Sequence, residues 1–336
     1  MIRDITPRVV VNGRFLARRI TGVERYGREV LRFIGDGSRI ESTHRQGWKG
    51  HAWEQFVLPG RLDSNSVLWS PANAGPLLVR NQALTIHDLS PLEHPEWFRA
   101  SFAAWYRLFL PMLVKQVRKV FVPSEYVKGK VSKRFRIADV SITPNGVDHS
   151  IFCPDARQTT FDLPARYVLF AGTLEPRKNL NGLLRAWDQI KDQFADTWLV
   201  IVGVSGNVFK AISVPQNTER VCLLGYVDDR TLAGLYAQAT LFVLPSYDEG
   251  FGLPALEAMA CGAAVIASDR GALPEVIGDA GMFCSLSDPA GLSKAMSNCL
   301  SSASIRLLLR ERGIRRAGQF SWGQTADLVW KGLHEL

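Results

Sequence analysis

Several absences in this 336-residue chain narrow what it can be. No stretch approaches the roughly 20 apolar residues that a membrane-crossing helix needs. The opening MIRDITPRVVVNGRF places Asp4, Pro7 and Arg8 where a signal peptide would keep an apolar segment, so the chain is expected in the cytoplasm. No C-x-x-C pair occurs among the five cysteines, which sit mostly within apolar runs such as Val221-Cys222-Leu223 and Met282-Phe283-Cys284. They read as small buried hydrophobes rather than metal or redox groups. No D-x-D carboxylate pair occurs either, and that pair is the common means of holding a divalent ion against a diphosphate. Low-complexity tracts and short repeats are missing as well.

What is present is an ordinary globular balance, 46% hydrophobic and 21% charged, at a length that suits two cores. The net charge of +8 raises a nucleic-acid partner, but the bases are dispersed and no nucleic-acid motif accompanies them. A nucleotide, a lipid diphosphate or an anionic membrane surface would answer the same charge.

Strand-like and helix-like segments alternate, twice over. Val9-Val10-Val11 leads through Ile20-Thr21-Gly22 to a helical pattern with Val23, Tyr26, Val30, Leu31 and Ile34 on one face. Strands are expected at Val67-Leu68-Trp69, Leu84-Thr85-Ile86, Val120-Phe121-Val122 and Val140-Ser141-Ile142, with a helix over 99–117 and Ser124 capping another. After a Pro-bearing linker in 146–164 the rhythm restarts, with strands at 167–171, 198–202, 221–224, 240–244 and 263–267 and helices near 179–194, 229–238 and 254–261. Such alternation predicts an α/β chain of two Rossmann-like domains with parallel sheets, 1–150 and 151–320, followed by a last helix in 321–336.

The chemistry concentrates in Pro245-Ser-Tyr-Asp-Glu249-Gly-Phe-Gly-Leu-Pro-Ala-Leu-Glu257. A strand ends, two glycines permit close approach of backbone to a ligand, and Pro254 suits the first turn of a helix whose free N–H groups favour a diphosphate. Alone, Glu249 is a loop residue and Glu257 a helix-start acid. Together they flank an anion site with groups suited to hydroxyls. A second strand-to-helix turn, Ala171-Gly-Thr-Leu-Glu-Pro-Arg177-Lys178-Asn179, puts two cations at a helix start, where the dipole opposes them unless an anion binds.

These two segments resemble the signatures of the family 4 retaining glycosyltransferases, also called group 1, and the resemblance extends over nearly the whole chain. It implies the GT-B architecture, with the two sheets facing a central cleft, and a nucleotide-sugar donor, while the missing D-x-D pair gives the expectation that no metal and no further cofactor are used. It assigns Glu249 to the donor sugar's hydroxyls and Glu257 to the ribose. The amides of Phe251, Gly252 and Leu253 are assigned to the phosphate, and Lys178 to the leaving diphosphate. Many relatives carry Gly-Arg just after the strand where this chain has Ala171-Gly172, so Arg177 is the expected substitute. His87, in Thr85-Ile-His-Asp88, matches the family's His-Asp segment near the reacting carbon. Gly22 matches the first-domain glycine loop, and Tyr226 and Val227 match the turn that reads the nucleobase. Pro144-Asn-Gly146 resembles the interdomain hinge, and the last helix resembles one that returns to the first domain.

The Gly-Thr-Leu-Glu-Pro-Arg-Lys-Asn turn resembles that of bacterial mannosyltransferases of surface polysaccharides. GDP-mannose is the expected donor, with UDP-hexoses and a non-catalytic GT-B-like binding subunit as alternatives. A polyprenyl-diphosphate-linked saccharide is the expected acceptor. An anionic membrane surface is expected to meet residues 97–119, where Phe102, Trp105, Tyr106 and Phe109 interleave with Arg107, Lys115, Arg118 and Lys119.

Overall fold

A computed structural model describes residues 8–156, 161–205, 208–209 and 219–336. Residues 1–7 of the opening segment and 157–160 of the expected linker lie outside them. The chain divides into two compact units. The first comprises Met1–Pro95, Ala100–Gly146 and Trp322–Leu336, and the second Glu96–Arg99 and Val147–Ser321.

The first unit is a six-stranded sheet of β1 (Arg8–Asn12), β2 (Ser38–Glu41), β3 (Ser66–Ser70), β4 (Gln82–Thr85), β5 (Lys119–Val122) and β6 (Val140–Ile142), ordered β2-β1-β3-β4-β5-β6. Every pairing is parallel. Val9, Val10, Val11, Val67, Leu68 and Trp69 are fully buried, because both faces of a parallel sheet are covered. The helix Gly22–Ile34 buries Tyr26, Val30, Leu31 and Ile34 as expected. Val23 is only half-buried, and Glu24 goes inside instead, where it accepts from the Thr21 N–H at 3.3 Å. The final helix, Trp322–His334, packs in this unit, where the Trp322 and Tyr26 rings meet edge-on at 6.1 Å.

The second unit repeats the plan with β7 (Arg166–Ala171), β8 (Thr197–Val202), β9 (Val221–Gly225), β10 (Leu241–Leu244), β11 (Val265–Ser268) and β12 (Met282–Cys284). The order β12-β11-β10-β7-β8-β9 is again all parallel. Its core joins Val168, Phe170, Ile201 and Val243 to Trp187 on the helix Leu180–Ile190. The strand expected at 263–267 starts two residues later. Gly262 (φ +78°) turns the chain and the Ala263 N–H closes the preceding helix onto the Ala258 carbonyl. β2 and β12 escaped the sequence pattern: β2 is a polar edge strand of four residues, and β12 an edge strand of three. Of the cysteines, Cys261, Cys284 and Cys299 are buried and Cys153 and Cys222 half-buried, all as free thiols.

The aromatic and basic stretch divides into a packed face and an outward one. In the helix Ala100–Gln116, Tyr106 and Phe109 are buried, Trp105 stacks on Phe109 and Phe102 stacks on Tyr106. Apolar packing has turned the aromatics inward. Lys119 is buried and pairs with Glu335, and Arg118 donates to Asn81 and to the Leu336 carbonyl. Trp97 and Phe98 pack in the second unit, near Tyr247 and Phe209. The outward face of the helix holds Arg107, Leu108, Met112 and Lys115. No described helix is long and apolar enough to cross a membrane.

Candidate active site

In open α/β sheets, ligands bind beyond the carboxyl ends of the strands where the strand order reverses. In the second unit that point lies between β7 and β10, neighbours in the sheet although two strands intervene in sequence. β7 feeds the turn carrying Glu175, Arg177 and Lys178, and β10 feeds the loop carrying Ser246 to Gly252. Topology alone therefore brings the two motifs together.

The contact between them is an ionic cluster. Lys178 Nζ donates to Glu249 Oε1 at 2.6 Å, and Arg177 Nη1 donates to Glu249 Oε2 at 2.7 Å and to the Asp248 carbonyl at 2.9 Å. Ser246 Oγ donates to Glu249 Oε1 at 2.7 Å. Burial by itself would push the Glu249 carboxyl up. The charges of Arg177 and Lys178 reverse that and hold it at about 2, so Glu249 is a carboxylate.

Glu175 escaped the sequence reading. It accepts from Arg177 Nε at 3.1 Å and from Nη2 at 2.6 Å. Arg177, the expected diphosphate ligand, is thus clamped between two carboxylates, whereas Lys178 has one carboxylate partner at 2.6 Å. Burial pushes the Glu175 carboxyl up, opposed by Arg177 and Lys178, and its Oε2 has no hydrogen-bond partner among the described residues. The legible signal was an acid two residues before a basic pair in a turn. Two carboxyl groups therefore face two basic side chains in one buried cluster.

Backbone geometry completes the loop. Gly252, at φ +97°, caps the helix Leu253–Ala260, and a side chain there would lie 2.5 Å from Leu273. Gly271, at φ +65°, lets the following turn lie against Glu249, whose carbonyl accepts from the Ala272 N–H at 2.9 Å. Phe251, Gly252 and Leu253 head this helix and Glu257 is buried within it. Tyr226 and Val227 follow β9 beside Gly225 (φ +69°), with Tyr226 exposed. Asp228 caps the next helix through the Thr231 N–H.

Gly22 and His87 lie in the other unit. Gly22 is the exposed first residue of its helix. His87 follows β4, is buried, and donates from Nε2 to the Pro71 carbonyl at 2.8 Å. Burial lowers its pKa below 6.5, against the opposing pull of that hydrogen bond, so the ring is neutral at pH 7.

Residues 154–316 match the family described as Glycosyl transferases group 1, and residues 63–151 match Glycosyltransferase Family 4. The chain is similar to the O-antigen chain mannosyltransferase B of Escherichia coli, 29% identical over 297 residues that cover 84% of this chain and 75% of that protein. It is also similar to the O-antigen chain mannosyltransferase RfbU of Salmonella typhimurium, 30% identical over 229 residues, covering 66% of this chain and 61% of that protein. Among solved structures, the sucrose-phosphate synthase of Thermosynechococcus elongatus shares the fold, with a TM-score of 0.76, 18% identity and 98% of each chain covered.

Proposed function

The chain belongs to the group 1 glycosyltransferases and has the GT-B architecture, and from this premise we propose that it transfers mannose from GDP-mannose, with retention, to a saccharide carried on polyprenyl diphosphate. The observation that carries the proposal is the cluster of Lys178, Arg177 and Glu249 at the switch point of the second sheet. The likeness to O-antigen chain mannosyltransferases supports mannose over other hexoses and surface polysaccharide over other products.

Lys178 is the group that meets the leaving diphosphate, with the N–H groups heading the helix Leu253–Ala260. Preorganised cations and dipoles stabilise the developing charge without reorganising at the moment of reaction. A donor phosphate arriving at Lys178 displaces Glu249, whose freed carboxylate then accepts from hydroxyls of the sugar. Glu257 takes the ribose, and the turn at Tyr226 and Val227 takes the base. The bond from the anomeric carbon to the diphosphate breaks and the bond to the acceptor oxygen forms on the same face. The acceptor's proton passes to the departing phosphate oxygen. His87 positions and stabilises. The reaction uses these side chains in place of a divalent ion, and it takes place at the cytoplasmic face of an anionic membrane.

The test is transfer from GDP-mannose in excess EDTA, with the product's anomeric configuration read by NMR. Transfer that stops in EDTA and returns with Mn²⁺, an inverted product, or turnover of UDP-hexoses alone would each overturn part of the proposal.

A further inference from the structure

The geometry points to a saccharide-hydroxyl subsite in the first unit, a recessed cleft floored by Asn12, Arg14 and Glu54. It rests on the glycosyltransferase reading and gives the acceptor sugar a point of recognition. The cleft occupies about 160 Å³ counting its open mouth, and lies where β1 ends at Asn12 and β3 ends at Ser70. β1 and β3 are the strands at which the order of this sheet reverses, so it stands at the position where open α/β sheets take ligands.

Its floor is polar and unusually well buried. Glu54 is 1% exposed and Arg14 5%. Glu54 Oε1 accepts from Asn12 Nδ2 at 2.7 Å and from Arg14 Nε at 3.0 Å. Its other oxygen, Oε2, is buried with no hydrogen-bond partner among the described residues, and the His51 ring nitrogen Nδ1 lies 3.5 Å away. A buried carboxylate oxygen left unsatisfied is costly, and a donor reaching it recovers that cost.

The chemistry of the lining selects the donor. Glu54 repels an anion, and Arg14 with Arg18 at the rim repels a cation. A hydroxyl both donates and accepts, so it answers the carboxylate and the guanidinium together. Phe15, Pro71 and Ala74 supply an apolar wall for the C–H edge of a sugar. The interior admits only a water-sized group, which suits one hydroxyl or hydroxymethyl arm rather than a whole ring. Arg18 reaches Glu24 at 3.5 Å, a partly exposed pair of the kind that opens at little cost. Pro71 joins the cleft to the His87 turn, since its carbonyl accepts from His87 Nε2.

Saturation-transfer NMR on the full chain tests this with the methyl α-glycosides of mannose, glucose, galactose and N-acetylglucosamine as probes. At least one is expected to bind, and Glu54→Gln is expected to weaken it about tenfold or more. Ala72→Leu, which fills the mouth without touching the polar floor, is expected to do the same and keeps the test alive should Glu54→Gln fail to fold. A thermal shift with GDP on the same samples reports folding and the donor site separately. Glycoside binding retained without any GDP shift would count against the donor assignment and leave the subsite standing. No glycoside binding to the wild type, or equal binding by all three proteins, would mean that the cleft holds water alone and would overturn the subsite.

Discussion

Lys178 Nζ and Glu249 Oε1 are 2.6 Å apart although 71 residues separate them in the chain. The cation expected to hold a diphosphate and the carboxylate expected to hold a sugar neutralise each other before any donor arrives.

Lys178→Ala should weaken GDP binding and slow transfer by at least tenfold, because one lost hydrogen bond to a charged group amounts to about 1.5–3 kcal/mol. Arg177→Ala should cost less for GDP, since Arg177 is already shared between Glu175 and Glu249. Calorimetry with GDP decides it, and equal losses for the two variants would contradict the division of labour.

Glu249→Ala should abolish discrimination between GDP-mannose and other GDP-sugars while free GDP binds as well as before or better, because Lys178 is released from its partner. Glu257→Ala should weaken GDP and GDP-mannose alike through the ribose. Titration of both variants with both ligands separates these outcomes.

Glu249 also gives a pH signature. Its carboxyl falls from 4.5 to about 2 on folding, where the charges of Arg177 and Lys178 outweigh burial. Its stabilisation is complete above pH 4.5 and is lost as pH falls toward 2, on the order of 3 kcal/mol in all. The melting-temperature gap between wild type and Glu249→Gln should therefore shrink between pH 5 and pH 3. A gap constant over that range would show that the pairing does not act in solution.

Glu175 and Arg177 should behave as one unit. Glu175→Gln weakens the grip on the guanidinium, and adding it to Arg177→Ala should change kcat/KM little further. Additive losses in the double-mutant cycle would mean that Glu175 acts elsewhere.

Attachment to anionic vesicles should depend on Arg107 and Lys115, with Leu108 and Met112 entering the headgroup region. Charge reversal at both bases should reduce co-sedimentation at low salt, each base near the surface contributing about 1 kcal/mol. Reversal at Arg118 should matter less, because that side chain is tied to Asn81 and the Leu336 carbonyl.

Local pattern was enough to show two successive βα arrays, because a buried parallel strand is a short apolar run and the helices between carry their own period and caps. Ser124 was readable as a cap for the same reason: its partner lies three residues away. From glycine, proline and charge alone, the two turns bearing Lys178 and Glu249 were readable as a candidate anion site. Tertiary structure decided who faces whom. Strand order placed the turn after β7 beside the loop after β10, and only then did Arg177 acquire Glu175 and Glu249 as simultaneous partners. It turned the aromatics of the helix Ala100–Gln116 inward, since a helix shows its period in sequence but not which side the sheet will cover. It also gathered Asn12, Arg14 and Glu54, whose partners lie 40 or more residues apart and leave no local trace of the contact.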